Sequence, residues 1–233
     1  MRRGRTRPRV LSGVAELRDI ALGVLRRLRE AGHVAYFAGG CVRDELLGLR
    51  PKDFDVATDA RPDEVQRLFR RTAAVGASFG VVLVREARGV AVEVATFRSD
   101  GAYSDHRRPD SVIFSTPELD AARRDFTINA LFLDPLAPEE AWTPAVDGGR
   151  VRGAVIDYVD GRRDLAAGLV RAVGDPFARL AEDHLRAVRA VRFAARYGFE
   201  IEPGTGEAIR RTARELEGVS RERVGGEGRR ILG

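Results

Sequence analysis

The stretch from residue 34 to residue 57 limits what this chain can fold into more than any other. Val34 to Ala38 is a short apolar run of strand length, Gly39-Gly40 interrupts it, and Val42 to Leu47 then reads as a short helix. Asp53-Phe54-Asp55 follows at the head of a second strand, Phe54 to Ala57. A strand that turns through two glycines into a helix puts bare backbone and a helix N-terminus in one place, which suits the close approach of a phosphate chain. Arg43, in the first turn of that helix, adds a fork of donors for phosphate oxygens. Side chains two apart on a strand share a face, so Asp53 and Asp55 converge on one spot. Hard oxygen ligands at that spacing suit Mg²⁺, which takes one or two carboxylates and completes its shell with phosphate and water. Two such ions can activate an attacking hydroxyl and stabilise a leaving pyrophosphate. Each part also has a plain structural reading: Asp-x-Asp as a surface turn, Gly-Gly as a tight turn, Arg43 with Asp44 as a local ion pair. Their conjunction within about seventeen residues favours the chemical one.

The rest of the chain alternates strands and helices, then changes character. Leu11 to Glu30 has helical periodicity (Leu17, Ile20, Ala21, Val24, Leu25, Leu28) and stops at Ala31-Gly32. Pro62 opens a helix through Phe69. Val81 to Val84 and Val90 to Phe97 are β-rich and separated by Arg88-Gly89, which predicts a hairpin. On the second of these strands Val92 and Val94 face one way, and Ala91, Glu93 and Ala95 the other. A charge among small residues needs a partner, so Glu93 is a candidate third carboxylate, with an Arg98 ion pair or a solvated face as the alternatives. Asp125 can cap a helix through Leu131. Past about residue 165 the strand signals vanish, and Pro176 to Tyr197 and Gly204 to Leu216 read as helices. The expected organisation is a basic tail and helix over 1–30, an α/β head over 31–168, and a helical neck over 169–233.

Composition excludes several classes. With 44% hydrophobic and 32% charged residues in 233, the chain reads as globular. No apolar run approaches the roughly 20 residues of a membrane span. The start, Met1 to Arg7, is basic and lacks the apolar stretch of a secretory signal. Cys41 is the single cysteine, so no internal disulfide or multi-cysteine zinc site can form, and a cytoplasmic setting is expected. The net charge of +5 leans towards polyanionic partners without specifying one. Lys52 is the only lysine and follows Pro51, so a Gly-x-x-x-x-Gly-Lys-Ser/Thr phosphate loop is impossible. His33, His106 and His184 are scattered and form no phosphohydrolase motif.

Gly39-Gly40-Cys41-Val42-Arg43-Asp44 followed by Lys52-Asp53-Phe54-Asp55-Val56-Ala57-Thr58 resembles the class II CCA tRNA nucleotidyltransferase and bacterial poly(A) polymerase family, whose head belongs to the polymerase beta-like nucleotidyltransferase superfamily. The resemblance continues through Glu93 to Arg98, Tyr103, Arg107-Arg108-Pro109, Arg124 to Leu131, Asp157 to Leu165, Glu182-Asp183-His184-Leu185-Arg186 and Ser220 to Arg223, in the family's order. It implies an α+β fold: a nucleotidyltransferase head with a mixed sheet, followed by an all-α neck. It also implies a template-independent transferase that adds C and A to the 3′ end of tRNA from CTP and ATP, releasing pyrophosphate. Asp53 and Asp55 would hold the Mg²⁺ ions with Glu93 beside them, and Gly39, Gly40 and Arg43 would cradle phosphate. Arg124 resembles the motif arginine that contacts the nucleotide in the head, with Asp125 a candidate for the ribose. No membrane or protein partner is expected.

Asp183, Arg186 and Arg189 are three apart and predict one side of a helix, with Arg192 following and Leu180, Leu185, Val188 and Val191 as apolar contacts. A salt-bridged helix face is the bland reading. The sharper one is base selection. Cytosine and adenine both present an amino donor beside a ring-nitrogen acceptor, which an aspartate and an arginine match. Uracil and guanine mismatch both contacts, and unpaired polar groups in a dry pocket are costly. By resemblance, Asp183 and Arg186 read the base while Arg189 and Arg192 hold the nucleotide.

Family members differ in outcome: CCA, CC-only or A-only addition, or poly(A) tailing. Val75-Gly76-Ala77-Ser78-Phe79-Gly80 lacks the basic pair typical of the bacterial poly(A) polymerases, which points to the CCA branch. Family enzymes continue into helical body and tail domains, whereas this sequence ends at Gly233. A truncated remnant that binds nucleotide or RNA without turnover is therefore a further alternative, which the retained Asp53, Asp55 and base-reading segment disfavour.

Overall fold

The computed structural model describes residues 13–74, 80–86, 89–101, 103, 111–213, 222 and 225–227. The basic tail, Val75 to Phe79, His106, Arg107 to Pro109, and Ser220, Arg221 and Arg223 of the motifs above lie outside the described residues.

The glycine turn does what its sequence requires. Strand β1 (Ala35–Ala38) runs into Gly39, whose φ of 73° is open to glycine at little cost, and helix α2 (Gly40–Leu46) starts at once. β1 pairs antiparallel with β2 (Asp55–Thr58), and β2 pairs parallel with β5 (Ala91–Thr96). β4 (Val81–Arg85) forms the expected hairpin with β5, and β3 (Thr72–Ala74) lies outside it. On the other flank, β8 (Phe132–Asp134) and β11 (Ala154–Ile156) complete a seven-stranded mixed sheet in the order β11-β8-β1-β2-β5-β4-β3.

Period-two alternation gives the sheet two different faces. Phe37, Val56, Val82 and Val94 point to one side, where helices α1 (Gly13–Glu30) and α3 (Pro62–Leu68) cover them with Val24, Leu25, Leu28 and Val65. Burying Leu25 and Leu28 completely contributes about 1.5–3 kcal/mol each. The other side carries smaller residues, Ala38 and Ala57, beside Phe97 and Phe132. Asp55 precedes Ala57 by two residues and Glu93 precedes Ala95 by two. The Ala57–Ala95 register therefore sets both carboxylates on this shallower face.

Helix α4 (Pro117–Ala122) and a 3-10 turn over Thr127–Asn129 lead into β8. Two short hairpins, β6 (Arg98–Asp100) with β7 (Val112–Phe114) and β9 (Thr143–Pro144) with β10 (Arg150–Val151), lie apart from the main sheet. Helix α5 (Gly161–Ala167) follows, and then helices dominate: α6 (Pro176–Glu182), α7 (Leu185–Tyr197) and α8 (Pro203–Thr212). The α+β class, with a mixed-sheet head followed by a helical region, is thus observed.

Four local expectations need correction. Pro176 to Tyr197 is two helices, because Asp183 is extended (φ −147°, ψ 105°) and its Oδ1 accepts from the Leu185 amide, as an N-terminal cap would. Asp183 therefore precedes the helix that carries Arg186 and does not lie on its face. Asp125 caps no α-helix; the 3-10 turn there is too short. Strands do not vanish after 165, since β12 (Leu169–Val170) pairs parallel with β13 (Glu200–Ile201). Val191 is 45% exposed, and Phe193 takes its place in the core. No described helix is long and apolar enough to cross a membrane.

Candidate functional site

A cavity of about 710 Å³ opens between the shallow face of the sheet and helix α7. Gly39, Gly40, Arg43, Asp53, Asp55, Glu93, Arg124, Asp125, Asp183, Arg186, Arg189 and Arg192 all line it. Residues as far apart in sequence as 39 and 192 are brought together because β1, β2 and β5 run side by side and α7 is anchored to the segment before β8, Phe193 against Phe126 and Arg189 on Asp125.

The carboxylate rim comes first. Asp53 is exposed just ahead of β2, Asp55 is half-buried at its first position, and Glu93 lies on the neighbouring strand. Burial, then the charges of Glu93 and Asp53, push the Asp55 carboxyl up to about 7, with Arg124 opposing. Crowding by surrounding protein and the Asp53 charge raise Glu93 as well, although its side chain reaches solvent. Among the described residues none of these three carboxylates makes a salt bridge, so the Arg98 partnership considered for Glu93 is not formed; Arg98 pairs with Asp100. No three carboxylate, histidine or cysteine side chains among the described residues sit at joint ligand spacing. The rim thus offers Asp53 and Asp55 as a two-carboxylate set, the number that suits Mg²⁺.

Two arginines, Arg124 and Arg43, stand over the glycine turn. Gly39 must be glycine for two reasons: its positive φ, and a Cβ there would come within 2.9 Å of Arg124 Nη1. Arg124 is fixed by Asp120, which accepts from Nε at 3.1 Å and Nη2 at 2.9 Å, and it lies over the Phe132 ring. Its Nη1 donates to the backbone oxygen of Asn129 at 3.1 Å. Arg43 is buried. It donates to Asp44 Oδ1 through Nε at 2.9 Å and Nη2 at 2.7 Å, and to Asn129 Oδ1 through Nη1, and it stacks near Phe193 and Tyr197. The Arg43–Asp44 ion pair considered as the plain alternative is therefore formed, and within the cavity wall.

The far wall is a row of paired guanidiniums. Arg189 grips Asp125 Oδ2 through Nε at 2.9 Å and Nη2 at 2.6 Å. Asp125 Oδ1 accepts from Asn129 Nδ2 at 3.0 Å and the Phe126 amide at 2.8 Å. Burial alone would raise the Asp125 carboxyl, but the Arg189 charge and these hydrogen bonds outweigh it and hold it at about 2. Arg192 pairs with buried Glu227 and stacks 4.1 Å from the Phe193 centroid. Arg186 is held through one nitrogen, Nη1, which donates to Glu182 Oε2 and to the Arg179 carbonyl at 2.8 Å. Among the described residues its other nitrogens make no hydrogen bond, which leaves a fork of donors for a ligand.

Some of these partners escaped the sequence reading. Asn129 touches Arg43, Arg124 and Asp125 at once, and nothing in its spacing singles it out. Asp120 is different: it stands three and four residues before Arg123 and Arg124, the spacing of helical ion pairs, and could have been found. Tyr197, whose hydroxyl donates to Asp44 Oδ1 at 2.9 Å, resembles any core aromatic in sequence.

Residues 35–171 match the model of the Poly A polymerase head domain, more than half of the chain. The chain belongs to this family. Residues 198–233 match a second model, described as a probable RNA and SrmB-binding site of polymerase A. A CCA-adding enzyme of Limosilactobacillus fermentum is 44% identical over 210 residues, covering 90% of this chain and 48% of that protein. The crystal structure of the Bacillus stearothermophilus CCA-adding enzyme in complex with CTP superposes with a TM-score of 0.78 at 37% identity, covering 95% of this chain and 49% of that one. The Thermotoga maritima CCA-adding enzyme complexed with tRNA gives a TM-score of 0.71 at 25% identity, over 97% and 48%. The chain spans about half the length of the curated relatives it matches.

Proposed function

We propose that this chain carries the nucleotidyl-transfer centre of a CCA-adding enzyme, with CTP and ATP as substrates and a tRNA 3′ end as acceptor. The observation that carries the reading is that one cavity holds both an uncompensated Asp53–Asp55 pair and, across from it, the Asp183–Arg186 edge. In family terms the head spans 31–168 and the neck 169–233.

The donor set fits Mg²⁺: two hard carboxylates, one of them pushed up to about 7 by burial and then by the neighbouring charges of Glu93 and Asp53, call for a compensating divalent cation. Bound there, Mg²⁺ would supply Lewis-acid activation of the attacking hydroxyl and charge stabilisation of the leaving oxygens. The chain's own residues do the rest. Gly39 and Gly40 let the triphosphate approach the backbone, and Arg124 meets its charge from a seat that Asp120 holds rigid. Asp183 accepts from the exocyclic amino group of C or A, and Arg186 donates to the ring nitrogen beside it. Arg189 and Arg192, already oriented by Asp125 and Glu227, form the wall behind the nucleotide. Glu93 adds negative charge to the rim as a third carboxylate near the metal ligands. A single buried cysteine, Cys41, fits a reducing compartment, and this reading puts the protein in the cytoplasm.

The test is incorporation of labelled nucleotide into tRNA lacking its 3′ end, with Mg²⁺ present. C and A should be added and U and G rejected. Absence of incorporation at every tRNA concentration, with folding confirmed, rejects the reading. Arg186→Ala should relax selection against UTP and GTP by about tenfold or more; intact C and A preference in that variant removes Arg186 from the base-reading role.

A further inference from the structure

Arg179 does not line the cavity, yet its guanidinium joins the backbone just before Arg124 to Glu182, which Arg186 also grips. The last carbonyls of a helix lack partners within the helix, and α4 ends at Ala122 with Arg123 as its cap. Arg179, projecting from α6, supplies those partners. Its Nη2 donates to the Ala122 carbonyl at 2.7 Å, its Nη1 to the Arg123 carbonyl at 3.1 Å, and its Nε to the Val173 carbonyl at 3.1 Å. The residues that follow these capped carbonyls are Arg124 and Asp125, the nucleotide shelf of the head. At the other end, the carbonyl of Arg179 accepts from Arg186 Nη1, and Glu182 Oε2 accepts from both arginines.

We propose that Arg179 is a positioning residue that fixes the distance between the Arg124–Asp125 shelf and the Arg186 guanidinium, and so sets how sharply C and A are preferred over U and G. The inference rests on the reading of Arg186 as the base reader. Selection by mismatched hydrogen bonds works only while donor and acceptor stay in register; a wall free to shift by an ångström lets a wrong base find a compromise. Three carbonyls in a fork need the planar, multi-donor guanidinium. Lysine, a single ammonium on a flexible stem, keeps the charge and loses that span.

The experiment measures equilibrium binding of CTP, ATP, UTP and GTP to the whole chain as wild type, Arg179→Lys and Arg179→Ala, with thermal melting of each. The wild type should prefer CTP and ATP. Both variants should melt cooperatively and lose about tenfold of that preference, while the affinity common to all four triphosphates changes less. A residue that only held the fold would lower the melting temperature and leave the preference of the folded molecules unchanged. Should Arg179→Ala not fold, Arg179→Lys carries the test. Wild-type preference in a folded Arg179→Lys overturns the clamp and leaves the base reading standing. No preference in the wild type overturns the base reading, and the clamp with it. If neither variant melts cooperatively, Arg179 holds the fold and the proposal is overturned.

Discussion

The two walls of the cavity handle charge in opposite ways. On the sheet side, Asp53, Asp55 and Glu93 crowd together without a salt bridge among the described residues, and Asp55 is raised to about 7. On the α7 side, Arg189 is matched by Asp125 and Arg192 by Glu227, and Asp125 is held down at about 2. The basic wall is therefore held in place by the chain's own carboxylates, and the acidic rim carries unfavourable charge that a cation would relieve. Stability and activity should be traded on the rim and reinforced together on the wall.

The sharpest test of this contrast is Asp55→Asn. Incorporation should fall by about a thousandfold or more, because the variant loses a hard ligand. Melting temperature measured with a chelator should hold or rise, and stabilisation by Mg²⁺ should disappear. A lower melting temperature in chelator would break the comparison. On the opposite wall, Asp125→Asn should lose stability and nucleotide affinity together. The sign follows from linkage: a carboxyl held at about 2, below its usual 3.8, contributes stability fully above pH 4 that is lost as pH falls through 2. Urea unfolding should show the variant about 2 kcal/mol less stable at neutral pH, with a shallower decline on the acid side. The smallest effect is expected for Tyr197→Phe, which removes one hydrogen bond to Asp44 while keeping the ring beside Arg43. About 1 kcal/mol should be lost in the same measurement; no change would mean that water replaces the hydroxyl.

How much of this was legible in sequence depended on whether the signal was local. The glycine turn, the β4–β5 hairpin and the side on which Glu93 points all follow from short-range periodicity and chain reversal, and the structure has them. The shared cavity was reachable because its residues fall in recognisable motifs. The break at Asp183 was not read, since the apolar spacing of Leu180, Leu185 and Val188 continues through it and masks the capping role of an aspartate. Local spacing gives Asp125 the usual use of an aspartate, a helix cap, because its actual partner, Arg189, is 64 residues away. Arg179 is beyond such reasoning altogether, because three backbone carbonyls have no sequence signature.

Residues 169–173 look in composition like the seam between head and neck, and in the fold they are stitched on both sides. Leu169 and Val170 pair with Glu200 and Ile201, the Arg171 carbonyl accepts from Thr127, Ala172 bridges Phe126, and the Val173 amide donates to Asp125. A hinge needs backbone that can rotate without losing partners, and here every turn of the chain would unzip one half or the other. The seam is a rivet: its backbone bonds tie the segment that carries Arg124 and Asp125 to residues 169–173 and, through β12, to β13.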